Sequence, residues 1–178
     1  MDDHALMRAW QEGDGTAFEQ LYRHHKDSLL RFLWRQVGDS AAEELFQDIW
    51  MKVIKARLRY RPTASFKTWL YTIARNRLLD HYRSQQRQPM MEWDETQPLL
   101  AASDPQGESA NHQQVQRLLA LLKTLPTEQR EVFLLKEEAG FTVPEIARLI
   151  DCSLEAAKSR LRYAIKKLQQ GMEAYCDA

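Results

Sequence analysis

Between residues 17 and 37 the apolar side chains Phe18, Leu21, Tyr22, Leu29, Leu30, Leu33 and Val37 recur at steps of three and four, with charged residues between them. That spacing predicts an amphipathic helix. Gly38 breaks it, and Ser40-Ala-Ala-Glu43 has the S-x-x-E form of a capping box, so a second helix is expected to start there. In it Leu45, Phe46, Ile49, Trp50, Val53 and Ile54 make a broad apolar stripe suited to a helical bundle, opposite Glu43, Glu44, Gln47, Asp48 and Lys52. Residues 59–65 interrupt the pattern: Pro62 disfavours helix at Arg61, and Ser65 can cap a third helix. From 66 to 83, Phe66, Trp69, Leu70, Ile73, Ala74, Leu78 and Tyr82 form that helix's apolar stripe. Lys67, Tyr71, Arg75, Asn76, Arg77, Asp80 and Arg83 are assigned to the remaining surface.

Periodicity then lapses. Residues 88–113 hold three prolines, one glycine, five acids and no Lys or Arg, which is the composition of a linker. It resumes at Val115 with Leu118, Leu119, Leu121, Leu122 and Leu125, and stops at Pro126, where a new helix can begin. Val132, Phe133, Leu134 and Leu135 give a further apolar segment, with Gly140 as its expected C-cap. Thr142-Val-Pro-Glu145 is a second capping box. It is followed by Ile146, Ala147, Leu149 and Ile150, a break at Asp151-Cys152, and a fresh cap at Ser153 before residues 154–168. Two helices joined by a short turn make a helix-turn-helix, with Ala147 as the small residue at the crossing and Ile146, Ile150, Leu154, Ala157 and Leu161 as the packing set.

Composition favours an all-α chain without choosing between one domain and two; the lapse in periodicity over 88–113 divides it into two small helical domains. Only six Gly and six Pro occur in 178 residues. Formal net charge is zero, but residues 1–88 hold 15 Lys/Arg against 11 Asp/Glu, while the middle is purely acidic. Cys152 and Cys176 make an unconvincing disulfide pair, and no N-terminal apolar run resembles a signal peptide or membrane span, so a reducing cytoplasm is expected. No metal-ligand spacing, Gly-rich phosphate loop or activated nucleophile is present. No catalysis, cofactor, metal or small-molecule substrate is therefore expected.

The second helix of the helix-turn-helix carries Glu155, Lys158, Ser159, Arg160, Arg162 and Lys166 away from its packing face, side chains able to meet phosphates and base edges in a major groove. Here the chain resembles a known family. Leu125-Pro-Thr-Glu-Gln-Arg-Glu-Val-Phe-Leu-Leu135, Gly140-Phe-Thr-Val-Pro-Glu-Ile-Ala-Arg-Leu149 and Ala157-Lys-Ser-Arg-Leu161 resemble the domain of sigma-70-type transcription factors that reads the minus-35 promoter element. Residues 43–53 resemble the helix of that family that docks on the polymerase clamp, and residues 66–80 its minus-10 melting helix. With only these two domains, the chain resembles the extracytoplasmic-function (ECF) group. It departs at Glu155-Ala156, where such factors usually carry Gly-Thr, and at Tyr163 and Ile165, which bears on the minus-35 sequence read.

The resemblance implies a division into residues 1–88 (sigma region 2), an acidic flexible linker over 89–112, and residues 113–178 (sigma region 4). It implies core-polymerase docking through Glu44, Gln47, Asp48 and Lys52, and minus-10 contacts from Tyr60, Arg61, Ser65, Lys67, Tyr71, Arg75, Asn76 and Arg83. The loop would line a pocket for a flipped base near Asn76, with Tyr71 as the stacking group and Trp69 as core. Minus-35 contacts would come from Ser153, Glu155, Ala156, Lys158, Ser159, Arg160 and Arg162. The implied partners are the beta and beta-prime subunits of core RNA polymerase, promoter DNA and an anti-sigma protein. Read without the resemblance, the residues leave open a helical polymerase-binding adaptor or a helix-turn-helix repressor.

Overall fold

The computed structural model describes residues 2–87 and 109–176. Their regular structure is entirely helical, in eight α-helices and one 3-10 turn. The chain divides into two compact units, residues 1–90 and 91–178. The linker expected over 89–112 lies outside the described residues as far as 108; from Ser109 the chain is already helical.

Unit one contains α1 (Asp3–Gln11), α2 (Gly15–Val37), α3 (Asp39–Ala56), the 3-10 turn (Arg57–Arg59) and α4 (Phe66–Arg87). Asp14 caps α2, its carboxylate accepting from Thr16 N at 2.9 Å and Thr16 Oγ1 at 2.7 Å. The capping box expected at Ser40–Glu43 does not form. Gly38, at φ 84°, closes α2 by donating to Trp34 O and opens α3 by accepting from Ala42 N. One glycine in the left-handed half of φ space thus joins the helices directly, and Ser40 falls inside α3 rather than before it. Ser65 does cap α4, its hydroxyl accepting from Thr68 N at 3.1 Å, and the helix runs a turn past the expected end, to Arg87.

Leu21, Leu29, Phe32 and Leu33 of α2, Leu45, Ile49 and Val53 of α3, and Phe66, Leu70, Ala74 and Leu78 of α4 form one buried core. Buried Gln36 accepts from Tyr82 Oη at 3.2 Å, tying α2 to α4. The apolar periodicity of the sequence begins only after residue 14, so α1 is an addition. It buries Leu6, Met7 and Trp10 against the bundle, and such a short helix depends on that packing.

Unit two contains α5 (Ser109–Thr124), α6 (Thr127–Glu137), α7 (Val143–Leu149) and α8 (Leu154–Cys176). The Thr142 capping box forms in full: Glu145 N donates to Thr142 Oγ1 at 3.4 Å, and Thr142 N to Glu145 Oε2 at 2.7 Å. Ser153 Oγ accepts from Ala156 N at 3.0 Å at the start of α8. Between them Asp151 adopts φ 55°, a conformation costing a non-glycine residue about 1 kcal/mol, and Cys152 N donates to Ala147 O at 3.0 Å. Ile146, Ala147, Ile150 and Ala157 are buried as expected, but Leu154, the first residue of α8, is exposed and Leu161 is only half-buried. A Cβ at Gly171 would have to displace the Leu121 methyls, so that glycine lets α8 approach α5 closely. Cys152 is a free thiol.

Candidate polymerase and nucleic-acid interfaces

The acidic face of α3 is only partly free. Glu44, Gln47 and Lys52 are exposed. Asp48 is instead engaged across the bundle, its Oδ2 accepting from Arg77 Nε at 2.9 Å and Nη2 at 2.8 Å. This pair ties α3 to α4, so Asp48, although its side chain is partly exposed, serves the fold. Neighbouring apolar side chains, not individually specified, are expected at the edge of this face, and beside Gln47 they are Met51, Ile54 and Leu58, 50%, 39% and 64% exposed. Spacings of four, three and four from Gln47 place them along one side of α3 and the turn after it. Ile54 belongs here and not in the bundle core. The width of the α3 stripe is the available signal, since α3 is apolar over a wider arc than its neighbours cover.

Two tyrosines expected to meet bases are interior. Tyr60 is buried, its ring 5.2 Å from Trp69 and 6.5 Å from Phe66 and its hydroxyl donating to Ala64 O at 3.1 Å. Burial, then Asp3 and Asp2, pushes its pKa up. Tyr71 is fully buried, edge-on to Phe32 at 5.4 Å, and its hydroxyl donates to Ser28 Oγ at 3.4 Å. Burial pushes that phenol up to about 12. The stacking position assigned to Tyr71 is thereby corrected: α4 buries Leu70, Tyr71, Ala74 and Leu78, which turns Trp69 to the edge of the core, half-exposed.

The other residues expected at this surface lie on or near it. Trp69, Thr72, Asn76 and Arg83 follow one another at three, four and seven residues along a single line of α4. Thr72, Asn76 and Arg83 are exposed, and Arg83 pairs with Asp80 at 3.5 Å. Beyond them Arg87 and Ser84 help line a shallow depression at the end of the helix. Arg61 is exposed in the loop and donates to Leu58 O at 3.2 Å, while the Ser65 hydroxyl is committed to its cap. Lys67 and Arg75 are half-covered on the flank of α4, Lys67 within electrostatic reach of His25.

In unit two the expected reading residues begin at the Ser153 cap and occupy the first turns of α8. Glu155, Lys158 and Arg162 are exposed on one line, with Ala156 and Ser159 half-buried beside it. Lys158 Nζ lies 3.2 Å from Glu155 Oε1. Arg160 sits apart, half-buried against α6, where Nη2 pairs with Glu128 Oε2 at 3.1 Å. Val143, Leu161 and Ile165 floor a groove of about 350 Å³ rimmed by Lys158, Arg162 and Lys166. Among the described residues no cluster of His, Cys, Asp and Glu could hold a metal ion, and no helix is long and apolar enough to cross a membrane.

A helix-turn-helix with a basic outer line, preceded by a bundle with an exposed apolar strip, defines a DNA-reading protein with a second interaction unit. Residues 21–88 match the family described as Sigma-70 region 2, and residues 115–168 match Sigma-70, region 4. The chain is 33% identical to RNA polymerase sigma factor CarQ of Myxococcus xanthus, the match covering 92% of this chain and 94% of that one. It is also 33% identical to ECF RNA polymerase sigma factor RpoE of Cereibacter sphaeroides, over 94% and 93% of the two chains. The sigma factor RpoE of Bartonella quintana, solved with the anti-sigma factor NepR, superposes with a TM-score of 0.73 at 25% identity, over 88% of this chain and 96% of that one. The chain belongs to the ECF group of the sigma-70 family, regulatory factors that direct promoter-specific transcription by RNA polymerase.

Proposed function

We propose that this sigma factor divides its work between the two units. Unit one docks on core RNA polymerase through Glu44, Gln47 and Lys52 together with Met51, Ile54 and Leu58, and it captures unpaired minus-10 bases. The capture surface is the loop 61–65 with Trp69, Asn76 and Arg83, where an aromatic edge, an amide and cations offset the cost of unstacking. Arg61, Lys67 and Arg75 supply further charge to the DNA backbone. Unit two reads the minus-35 element from the major groove with Glu155, Ala156, Lys158, Ser159 and Arg162; Arg160, steadied by Glu128, contacts a neighbouring phosphate.

The observation that carries this reading is the apolar strip 51–54–58, exposed beside a charged face on the unit that bears no helix-turn-helix. A solvent-exposed strip of that kind suits a protein partner, with rim charges steering the encounter. The polymerase supplies the chemistry, the chain acting as a non-catalytic cytoplasmic factor that needs no cofactor. The acidic linker tethers two weak DNA contacts so that they act together. The anti-sigma factor bound to the Bartonella relative supports a similar partner here.

Separating the two surfaces tests the assignment. Leu58→Glu is expected to weaken binding to core polymerase about tenfold or more, on the scale of a central interface residue, with isolated unit-two DNA contacts intact. Lys158→Ala should do the reverse, weakening minus-35-dependent initiation while core binding holds. If both variants lose the same activity, the division of labour fails.

A further inference from the structure

Helix α1 lies outside the residues matched by the region 2 family, which begin at 21, yet its polar side chains converge on the loop proposed to capture the minus-10 base. Gln11, its last residue, directs one amide at two backbone carbonyls: Nε2 donates to Arg57 O at 2.8 Å and to Tyr60 O at 3.3 Å. Both acceptors lie where α3 and its 3-10 extension end: Arg57 O also accepts from Tyr60 N at 3.3 Å, and the Gln11 amide adds a second donor there and reaches on to Tyr60 O. Gln11 therefore caps from a different helix the turn that leads into the loop.

The far end of the loop is held through Tyr60. Its hydroxyl donates to Ala64 O at 3.1 Å, and His4 Nδ1 lies 2.8 Å from the Tyr60 hydroxyl oxygen itself. With the hydroxyl hydrogen directed at Ala64, the second bond takes its hydrogen from His4 Nδ1. Helix α1 is itself fixed on the bundle by buried Leu6, Met7 and Trp10 and by Asp3 Oδ2, 2.7 Å from His25 Nε2. Carbonyls 57, 60 and 64 are thus all tied, directly or through Tyr60, to one helix, while the side chains of residues 61–65 stay exposed.

We propose that α1 is the positioning element of the promoter-capture loop: Gln11 and the His4–Tyr60 pair hold residues 61–65 in one conformation, so an unpaired base enters a preformed site. Ordering such a segment only on binding would consume affinity, and preorganisation removes that cost. This rests on the reading of the loop as the minus-10 capture surface.

The test uses the full chain reconstituted with bacterial core polymerase and a promoter located with the wild-type chain. The probe is a single-stranded oligonucleotide carrying that promoter's non-template strand around minus 10. Gln11→Met removes the amide donor at nearly constant shape, and Tyr60→Phe removes only the hydroxyl, so each checks the other should one fail to fold. Each variant is expected to weaken oligonucleotide binding about two- to tenfold, the range for one or two lost hydrogen bonds. Affinities for core polymerase and for a minus-35 duplex should stay unchanged, and amide exchange over residues 57–65 of the free chain should quicken. Faster exchange with unchanged oligonucleotide affinity overturns the proposal, and so does an equal loss of polymerase and oligonucleotide binding, which would mark a merely structural role. Absence of oligonucleotide binding by the wild type would instead sink the capture reading, and the proposal with it.

Discussion

The two units present their working surfaces by different physical means. In unit two the proposed reading surface follows from local hydrogen bonds: the Thr142–Glu145 box and the Ser153 cap each close within three residues, and the turn between them fixes the start of α8. In unit one the surfaces are what remains after three long helices and α1 have packed. Which side of α3 or α4 faces outward is decided by neighbours tens of residues away, as when Arg77 takes Asp48 and Phe32 covers Tyr71. Capping chemistry is therefore a dependable guide to a helix-turn-helix, whereas a bundle helix needs its partners before its outer face is known.

The sharpest way to break this contrast is at Tyr71. Tyr71→Ala is expected to destabilise unit one by about 3–5 kcal/mol, the cost of emptying a large core site, as read by chemical denaturation. Tyr71→Phe should cost about 1 kcal/mol and leave promoter opening intact. Loss of opening by Tyr71→Phe in a stable protein would restore the phenol to the DNA surface.

The two serines in S-x-x-E or cap positions give a matched pair at smaller scale. Ser153→Ala should cost unit two about 1 kcal/mol, whereas Ser40→Ala, inside α3 with no cap to lose, should change unit one by only a few tenths. Equal costs would mean that Ser40 has a role the hydrogen bonds of α3 do not reveal.

The smallest effect expected is in pH. Burial holds His25 below its ordinary value, against the pull of Asp3, and burial followed by Arg77 lowers His81, against Glu44. The unfolded chain then takes up protons that folded unit one refuses, so the stability these groups contribute is complete above about pH 6.5 and is lost as pH falls through their depressed values. Residue-resolved hydrogen exchange should show unit one losing protection faster than unit two between about pH 7.5 and about pH 5. A pH response confined to unit two would contradict it.

How far the sequence can be read depends on the same physics. The existence of α2 and α4 and the start of α4, the Ser65, Thr142 and Ser153 caps and the buried Ala147 crossing are all legible, because each rests on periodicity or on atoms close in the chain. Region 2 and region 4 are legible as motifs, and the family matches bear them out. Tyr71 is misplaced by pattern alone because its hydroxyl suggests surface, although Ser28 supplies a partner inside. Leu58 escapes notice because it lies past the end of α3, and α1 because nine residues give periodicity too little length. The Asp48–Arg77 and Glu128–Arg160 pairs join residues far apart in sequence, and no local pattern announces them.

The central claim is tested most directly by adding the purified chain to bacterial core RNA polymerase and mapping transcription starts on fragments of the source genome. The account predicts tight binding and initiation at discrete sites sharing paired elements near minus 35 and minus 10. Binding without site-specific initiation, or no binding at all, would contradict it.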